Sequence, residues 1–233
     1  EMVLEQLMQH LQPLDVESRL LVLSRCAEPV LLQRKEGEII RCPTSMEIAS
    51  NPMSWRALSM FRKLASWADV LHYQFPWPFA DLLHLLSSAG KPFVVSYQSD
   101  IVKQRSLMQL YRPLMMHFLN QADYVCASSP AYTQTSKVLT QLHKPAIAIA
   151  NGIDASRCPP ASTICLERWH HQVGQGFFLF VGVLRYYKGL HTLIRAAALN
   201  GLSVVIAGSG PESERLHTLA QTLGAHNVQF VGR

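Results

Sequence analysis

No apolar run in this sequence reaches the ~18–20 residues that a membrane-spanning helix needs. The longest, such as FFLFVGVL at 177–184, are strand-sized. There is no CxxC pair, no GxSxG, no HExxH and no P-loop. Their absence argues against redox, serine-hydrolase, metalloprotease and NTPase chemistry. Cysteine is sparse and odd in number, with five residues: Cys26, Cys42, Cys126, Cys158 and Cys165. That pattern suits reduced thiols in a cytosolic protein better than a disulfide framework. Cys158 and Cys165 precede His170 and His171, but the spacing fits no common zinc pattern, and no metal is expected. No signal peptide is evident. Glu1 opens a segment that already reads as helix, and the chain is taken for a piece of a longer protein.

Charged residues make up 16% and apolar residues 48% of 233, ordinary for a soluble α/β protein. The net charge of +5 suits phosphates, a nucleic acid or an anionic membrane face, and equally a solvated surface. It selects none of them.

Short β-branched and aromatic runs alternate with amphipathic stretches. Strands are predicted at 20–24, 69–73, 93–97, 123–127, 146–150, 177–182, 203–208 and 228–232. Helices are predicted at 2–11, 54–67, 79–89, 105–120, 131–141, 189–199 and 212–223. Several strands read as apolar almost throughout, as strands buried on both faces do. The alternation implies a doubly wound parallel sheet. Residues 159–176, with Pro159, Pro160, Gly174 and Gly176, break the rhythm and read as a linker carrying a short helix. The expected organisation is a first domain at 1–158, that linker, and the first part of a second domain at 177–233.

Ligands of open α/β sheets bind beyond the carboxyl ends of the strands. Arg185 and Lys188 follow one strand and lead into a helix through Gly189. Two cations beside a helix N-terminus suit an anion, and a solvent-facing basic turn would use the same residues. After the next strand, Gly208 and Gly210 bracket a turn, and Pro211 suits the first position of a helix. The third glycine of GxGxxG is absent, so a plain strand-to-helix turn fits as well. In the first half, Ser99 and Asp100 follow a strand and are placed to cap a helix or to face a ligand. His72 ends another strand. The rings after it, Tyr73, Phe75, Trp77 and Phe79, either stack on sugar or pack beneath a loop. Ser128 and Ser129 follow a further strand, and Asn151 and Gly152 tolerate left-handed geometry.

In order, YQSDIVKQ, SSPAY, NGID, VGVLRYYKGL, AGSGPE and VQFVGR run from 97 to 233, with HYQFPWPFADLLHLL upstream. Together they resemble the family 4 glycosyltransferases of the GT-B class, closest to mannosyl- and rhamnosyl-type enzymes that build bacterial O-antigen and other surface polysaccharides. The resemblance implies two Rossmann-like domains, the second incomplete here. It implies a retaining transferase without a metal or other cofactor, in which Arg185 and Lys188 stabilise the departing diphosphate. Gly182, Gly208, Gly210, Pro211, Gly232 and Arg233 would line the nucleotide side. His72, Ser99, Asp100, Ser129 and Asn151 would face the acceptor, with Gln98 and Asp100 near the chemistry. The implied partners are a nucleotide sugar, GDP-mannose foremost, and a lipid-linked saccharide, with weak contact to an anionic inner membrane and no nucleic acid. The implied place is the cytoplasm, peripheral to that membrane.

The chain departs from the family pattern in several places. The usual glycine-rich loop is expected ahead of Glu1, and the acidic EX7E pair beyond Arg233. Gln98 and Gln74 stand where relatives often have histidine, and glutamine cannot trade protons near neutral pH. Val183 stands where the family often has arginine, while Lys188 keeps its usual spacing. A sugar-nucleotide epimerase and an inactive nucleotide-sugar-binding module are the alternatives.

Overall fold

The computed structural model describes residues 2–25, 31–48, 51–87, 90–101, 105–152, 154 and 160–233. Cys26, Lys103, Cys158 and Pro159 lie outside these. The chain divides into two compact units, Glu1–Asp154 and Ala155–Arg233.

The first unit opens with α1 (Met2–Leu11), followed by strands β1 (Arg19–Ser24), β2 (Leu31–Arg34) and β3 (Gly37–Pro43). β3 is central, parallel to β1 and antiparallel to β2. A small antiparallel pair, β4 (Met46–Ile48) and β5 (Asn51–Met53), leads to α2 (Trp55–Trp67). None of β2 to β5 is expected from the sequence. They are short, and polar residues interrupt their apolar pattern. The clue that was available is the turn Lys35–Glu36–Gly37 between two apolar runs; Gly37 has φ +141°.

α2 forms for local reasons. Ser54 caps it, its Oγ accepting from the Ala57 amide at 3.3 Å, a contact worth ~1 kcal/mol. Ala57, Phe61 and Ala65, four residues apart, are its buried stripe.

The main sheet of this unit is parallel, in the order β6 (Leu71–Phe75), β7 (Phe93–Tyr97), β8 (Tyr124–Ala127) and β9 (Ile147–Ala148). Helices α3 (Pro78–Ser87), α4 (Arg105–Gln121) and α5 (Pro130–Thr135) follow β6, β7 and β8 in turn. Burial along β6 and β7 alternates. Leu71, Tyr73, Phe75, Phe93, Val95 and Tyr97 are buried, while His72 is exposed and Gln74 and Ser96 are half-buried. These strands therefore bury one face, not two. Edge-on rings fill that face: Tyr73 meets Phe93 and Phe118 with centroids 5.6 and 5.2 Å apart. Phe118 is fully buried, and truncating it to alanine costs ~3–5 kcal/mol.

The helix expected at 131–141 is broken. Beyond Thr135, Ser136 Oγ accepts from the amides of Val138 and Leu139, just ahead of a separate 3-10 turn, Leu139–Gln141.

The second unit carries α6 (Thr163–Val173), then β10 (Phe178–Val181), α7 (Leu190–Asn200), β11 (Val204–Ala207), α8 (Ser213–Thr222) and β12 (Val228–Gly232). Its sheet is parallel in the order β10-β11-β12. Val204, Val205 and Ile206 of the central β11 are buried. The apolar run of β10 is not: Phe178, Leu179 and Val181 are 58, 60 and 72% exposed. Among the described residues β10 pairs on one side only.

Candidate functional site

In the second unit, one end of the sheet gathers every residue assigned there from sequence. Gly182 follows β10, Gly208, Gly210 and Pro211 follow β11, and Gly232 ends β12 with Arg233 just beyond it. The carboxyl ends interlock: the amide of Gly182 donates to Ala207 O at 3.0 Å, and that of Gly208 to Gly232 O. Arg185 starts a short 3-10 turn, Tyr186–Lys188, and Gly189 at φ +70° joins that turn to α7. Arg185 and Lys188 are both exposed. Among the described residues neither is in an ion pair; the one carboxylate paired nearby, Glu212, is with Arg215 at 3.6 Å. Lys188 Nζ lies 5.3 Å from the ring centroid of Tyr187. Two unneutralised cations at the entrance to α7 can hold an anion.

Pro211 does not occupy the first helical position. The amide of Glu212 donates to Leu184 O and that of Ser213 to Gly210 O, so a turn intervenes before α8.

In the first unit, the sequence-assigned residues fall into two groups. On the open face of the sheet, Ser96 Oγ is 2.8 Å from His72 Nε2, and Gln74 Nε2 is 3.4 Å from the same nitrogen. Gln98 Nε2 donates to Gln74 Oε1 at 3.1 Å. This polar ladder runs across β6 and β7 to the residue after β7. The His72 ring is exposed at one edge, yet the sheet atoms around it desolvate it and lower its pKa. A neutral ring is the form that accepts hydrogen bonds.

Asp100 faces inward. Its Oδ1 accepts from Tyr97 OH and from Ser136 Oγ, both at 2.7 Å, and its amide donates to Tyr132 OH at 2.7 Å. Desolvation, helped by the neighbouring Asp100, raises the pKa of Tyr97 and of Tyr132. Ser129 caps α5, accepting from the Tyr132 amide at 3.2 Å. Asp100 and Ser129 thus share the task of fixing the loops beyond β7 and β8. Ser99 and Asn151 are exposed at the same end of the sheet. Tyr97, Tyr132 and Ser136 have no sequence signal beyond their nearness to the ends of β7 and β8.

β6 runs on to Phe75, so His72 lies within the strand and not at its end, and the rings from Tyr73 to Phe79 are packing residues. Tyr73, Phe75 and Phe79 are buried, and Trp77 Nε1 donates to Pro52 O at 3.2 Å. Stacking on sugar is not open to the buried three.

Comparisons with known proteins bear on the family and the fold. The family model described as Glycosyltransferase Family 4 matches residues 1–157, and that described as Glycosyl transferases group 1 matches 166–233. The chain is 42% identical over 233 residues to D-rhamnosyltransferase WbpZ of Pseudomonas aeruginosa, covering all of this chain and 61% of that protein. It is 43% identical over 186 residues to O-antigen chain mannosyltransferase C of Escherichia coli, covering 80% of this chain and 50% of that protein. The chain therefore spans about half to three fifths of these relatives. Among solved structures, sucrose-phosphate synthase from Thermosynechococcus elongatus superposes with TM-score 0.70 at 16% identity, covering 98% of this chain and 63% of the other. Anabaena Alr3699/HepE in complex with UDP gives 0.60 at 20%, covering 83% and 55%. These two show the fold, which is GT-B. With a family model spanning most of the first unit and relatives above 40% identity, the chain belongs to the family 4 glycosyltransferases.

Proposed function

We propose that the protein carrying this chain is a retaining glycosyltransferase of bacterial O-antigen synthesis. It moves a hexose from a nucleotide sugar to a lipid-linked saccharide at the cytoplasmic face of the inner membrane. The observation that carries this reading is the identity, 42% along all 233 residues, to a D-rhamnosyltransferase, joined by 43% to an O-antigen mannosyltransferase. Rhamnose is 6-deoxymannose, so both names share one ring configuration. A manno-configured donor, GDP-mannose foremost, fits both.

Arg185 and Lys188 hold the diphosphate and stabilise the charge that develops as it leaves, and no metal is needed for that role. Gly182, Gly208, Gly210, Pro211, Gly232 and Arg233 shape the nucleotide side. His72, Gln98, Ser99, Asp100, Ser129 and Asn151 lie on the acceptor side. The Gln98 amide offers hydrogen bonds there and no proton transfer. A fold neighbour in complex with UDP supports a nucleotide donor and leaves the base open.

The test uses a polypeptide as long as the relatives, given GDP-mannose with and without lipid-linked acceptor. Acceptor-dependent transfer with retained anomeric configuration is expected. Isomerised nucleotide sugar without acceptor would instead identify an epimerase. Nucleotide binding with no product would identify an inactive binding module.

A further inference from the structure

Gly208 and Gly210 are glycines for different reasons. Gly208 has φ +143°, where side chains are strained, and a Cβ there would collide with the carbonyl of Gly182. Gly210 is outside the left-handed region, so backbone freedom does not demand glycine. Its neighbour does. A Cβ on Gly210 would sit 2.5 Å from Leu184 O and 2.6 Å from Leu184 N, closer than real carbon contacts allow.

Leu184 immediately precedes Arg185 and is held on every side. Its amide donates to Ser209 O at 3.0 Å, its carbonyl accepts from the Glu212 amide at 3.1 Å, and its side chain is 1% exposed in the core of the unit. The turn bearing both cations therefore springs from a backbone moulded against the loop after β11.

We propose that Gly210 is a positioning residue for the Arg185–Lys188 anion turn. Its missing side chain lets the loop after β11 close on Leu184, and that contact sets where the two cations point. Gly210 needs no contact of its own with the ligand. This inference rests on the diphosphate reading of the turn given above.

The test titrates GDP by calorimetry onto a polypeptide as long as the relatives, with Lys188→Ala, Gly210→Ala, the double variant and Gly224→Ala. Gly224 has φ +61° and open space around its Cβ position, so alanine there strains the same unit without touching Leu184. Gly210→Ala is expected to weaken GDP at least tenfold, and Gly224→Ala to leave it within twofold. The double variant should fall well short of the product of the single effects, because both act through one turn. In the unsubstituted chain, GDP should slow amide exchange at Leu184 and Glu212, a measurement that needs no variant to fold.

If Lys188→Ala weakens binding but Gly210→Ala does not, the mould is wrong and the diphosphate reading stands. A multiplicative double variant, or exchange at Leu184 and Glu212 that GDP leaves unchanged, overturns the positioning role. No GDP binding, or binding indifferent to Lys188→Ala, sinks the diphosphate reading and this inference with it.

Discussion

Tyr111 on α4 donates its phenol to the carboxylate of Asp81 on α3, and Asp81 is only 1% exposed. Burial desolvates the carboxylate and raises its pKa from 3.8 to about 7, against the lowering effect of the Tyr111 hydrogen bond. The folded-state pKa lies above the unfolded one, so the fold favours the protonated acid. That contribution is fully present below 3.8 and is lost as pH rises through about 7. Measured against Asp81→Asn, which cannot ionise, the parent should lose ground between pH 4 and pH 7, with a slope of ~1.4 kcal/mol per pH unit in the middle of that range that levels off above pH 7. Urea unfolding of both proteins across that range is the check. A constant difference would mean the carboxyl titrates as if exposed.

Lys188 and Arg185 carry the donor reading. In a polypeptide as long as the relatives, Lys188→Ala should lower kcat/KM for the nucleotide sugar by ~30- to 1,000-fold, the ~2–4 kcal/mol that one well-placed charged donor supplies to a transition state. Lys188 should outweigh Arg185, because its spacing from β10 keeps the family pattern. Steady-state kinetics on the two alanine variants would decide it. Activity within twofold of the parent would remove Lys188 from the site.

Where one side chain's periodicity decides an element, the sequence was enough. α2 announces itself through Ser54 and the four-residue spacing of Ala57, Phe61 and Ala65. The cations at 185 and 188 are legible because a strand-to-helix loop must end where Gly189 stands. β2 to β5 were missed because their stability comes from pairing partners, β3 lying between β1 and β2, and not from any pattern of their own. The break at Ser136 was missed for a related reason. Its hydroxyl is drawn to Asp100, 36 residues away, and no helical window contains that contact. Asp100, placed after a strand to cap a helix or to face a ligand, receives the Tyr97 and Ser136 hydroxyls, and those contacts come from folding, not from local sequence.

Weak, salt-sensitive binding to anionic vesicles is expected of the first unit. Arg56, Arg62 and Lys63 are exposed on α2, beside Trp55 at 76% exposure, and Arg112 is exposed on α4. Arg62 also reaches Leu86 O at 3.2 Å and Arg112 the Gln141 side chain, which tempers their reach. Surface charge is screened within ~10 Å at 0.1 M salt, so binding should fade as salt rises. Equal sedimentation with neutral and anionic vesicles at low salt would contradict this.

The 233-residue chain by itself is expected not to transfer sugar. Transfer needs donor and acceptor held within a few ångströms of each other in a water-excluded site. This chain spans 61% and 50% of the two transferases it resembles. Among the described residues its second unit leaves β10 paired on one side, with Phe178, Leu179 and Val181 open to water, and α6 exposes Ile164, Leu166 and Trp169. Apolar surface of that kind marks a unit with little burial to hold it shut. The first unit has a continuous aromatic core around Phe118 by comparison. Amides of 177–233 should therefore exchange faster than those of β6, β7 and β8. Purified chain should show no turnover with GDP-mannose or UDP-glucose, even with lipid-linked acceptor present. Measurable turnover would mean that these 233 residues already make a closed, competent site, and the exposed face of β10 would then need another explanation.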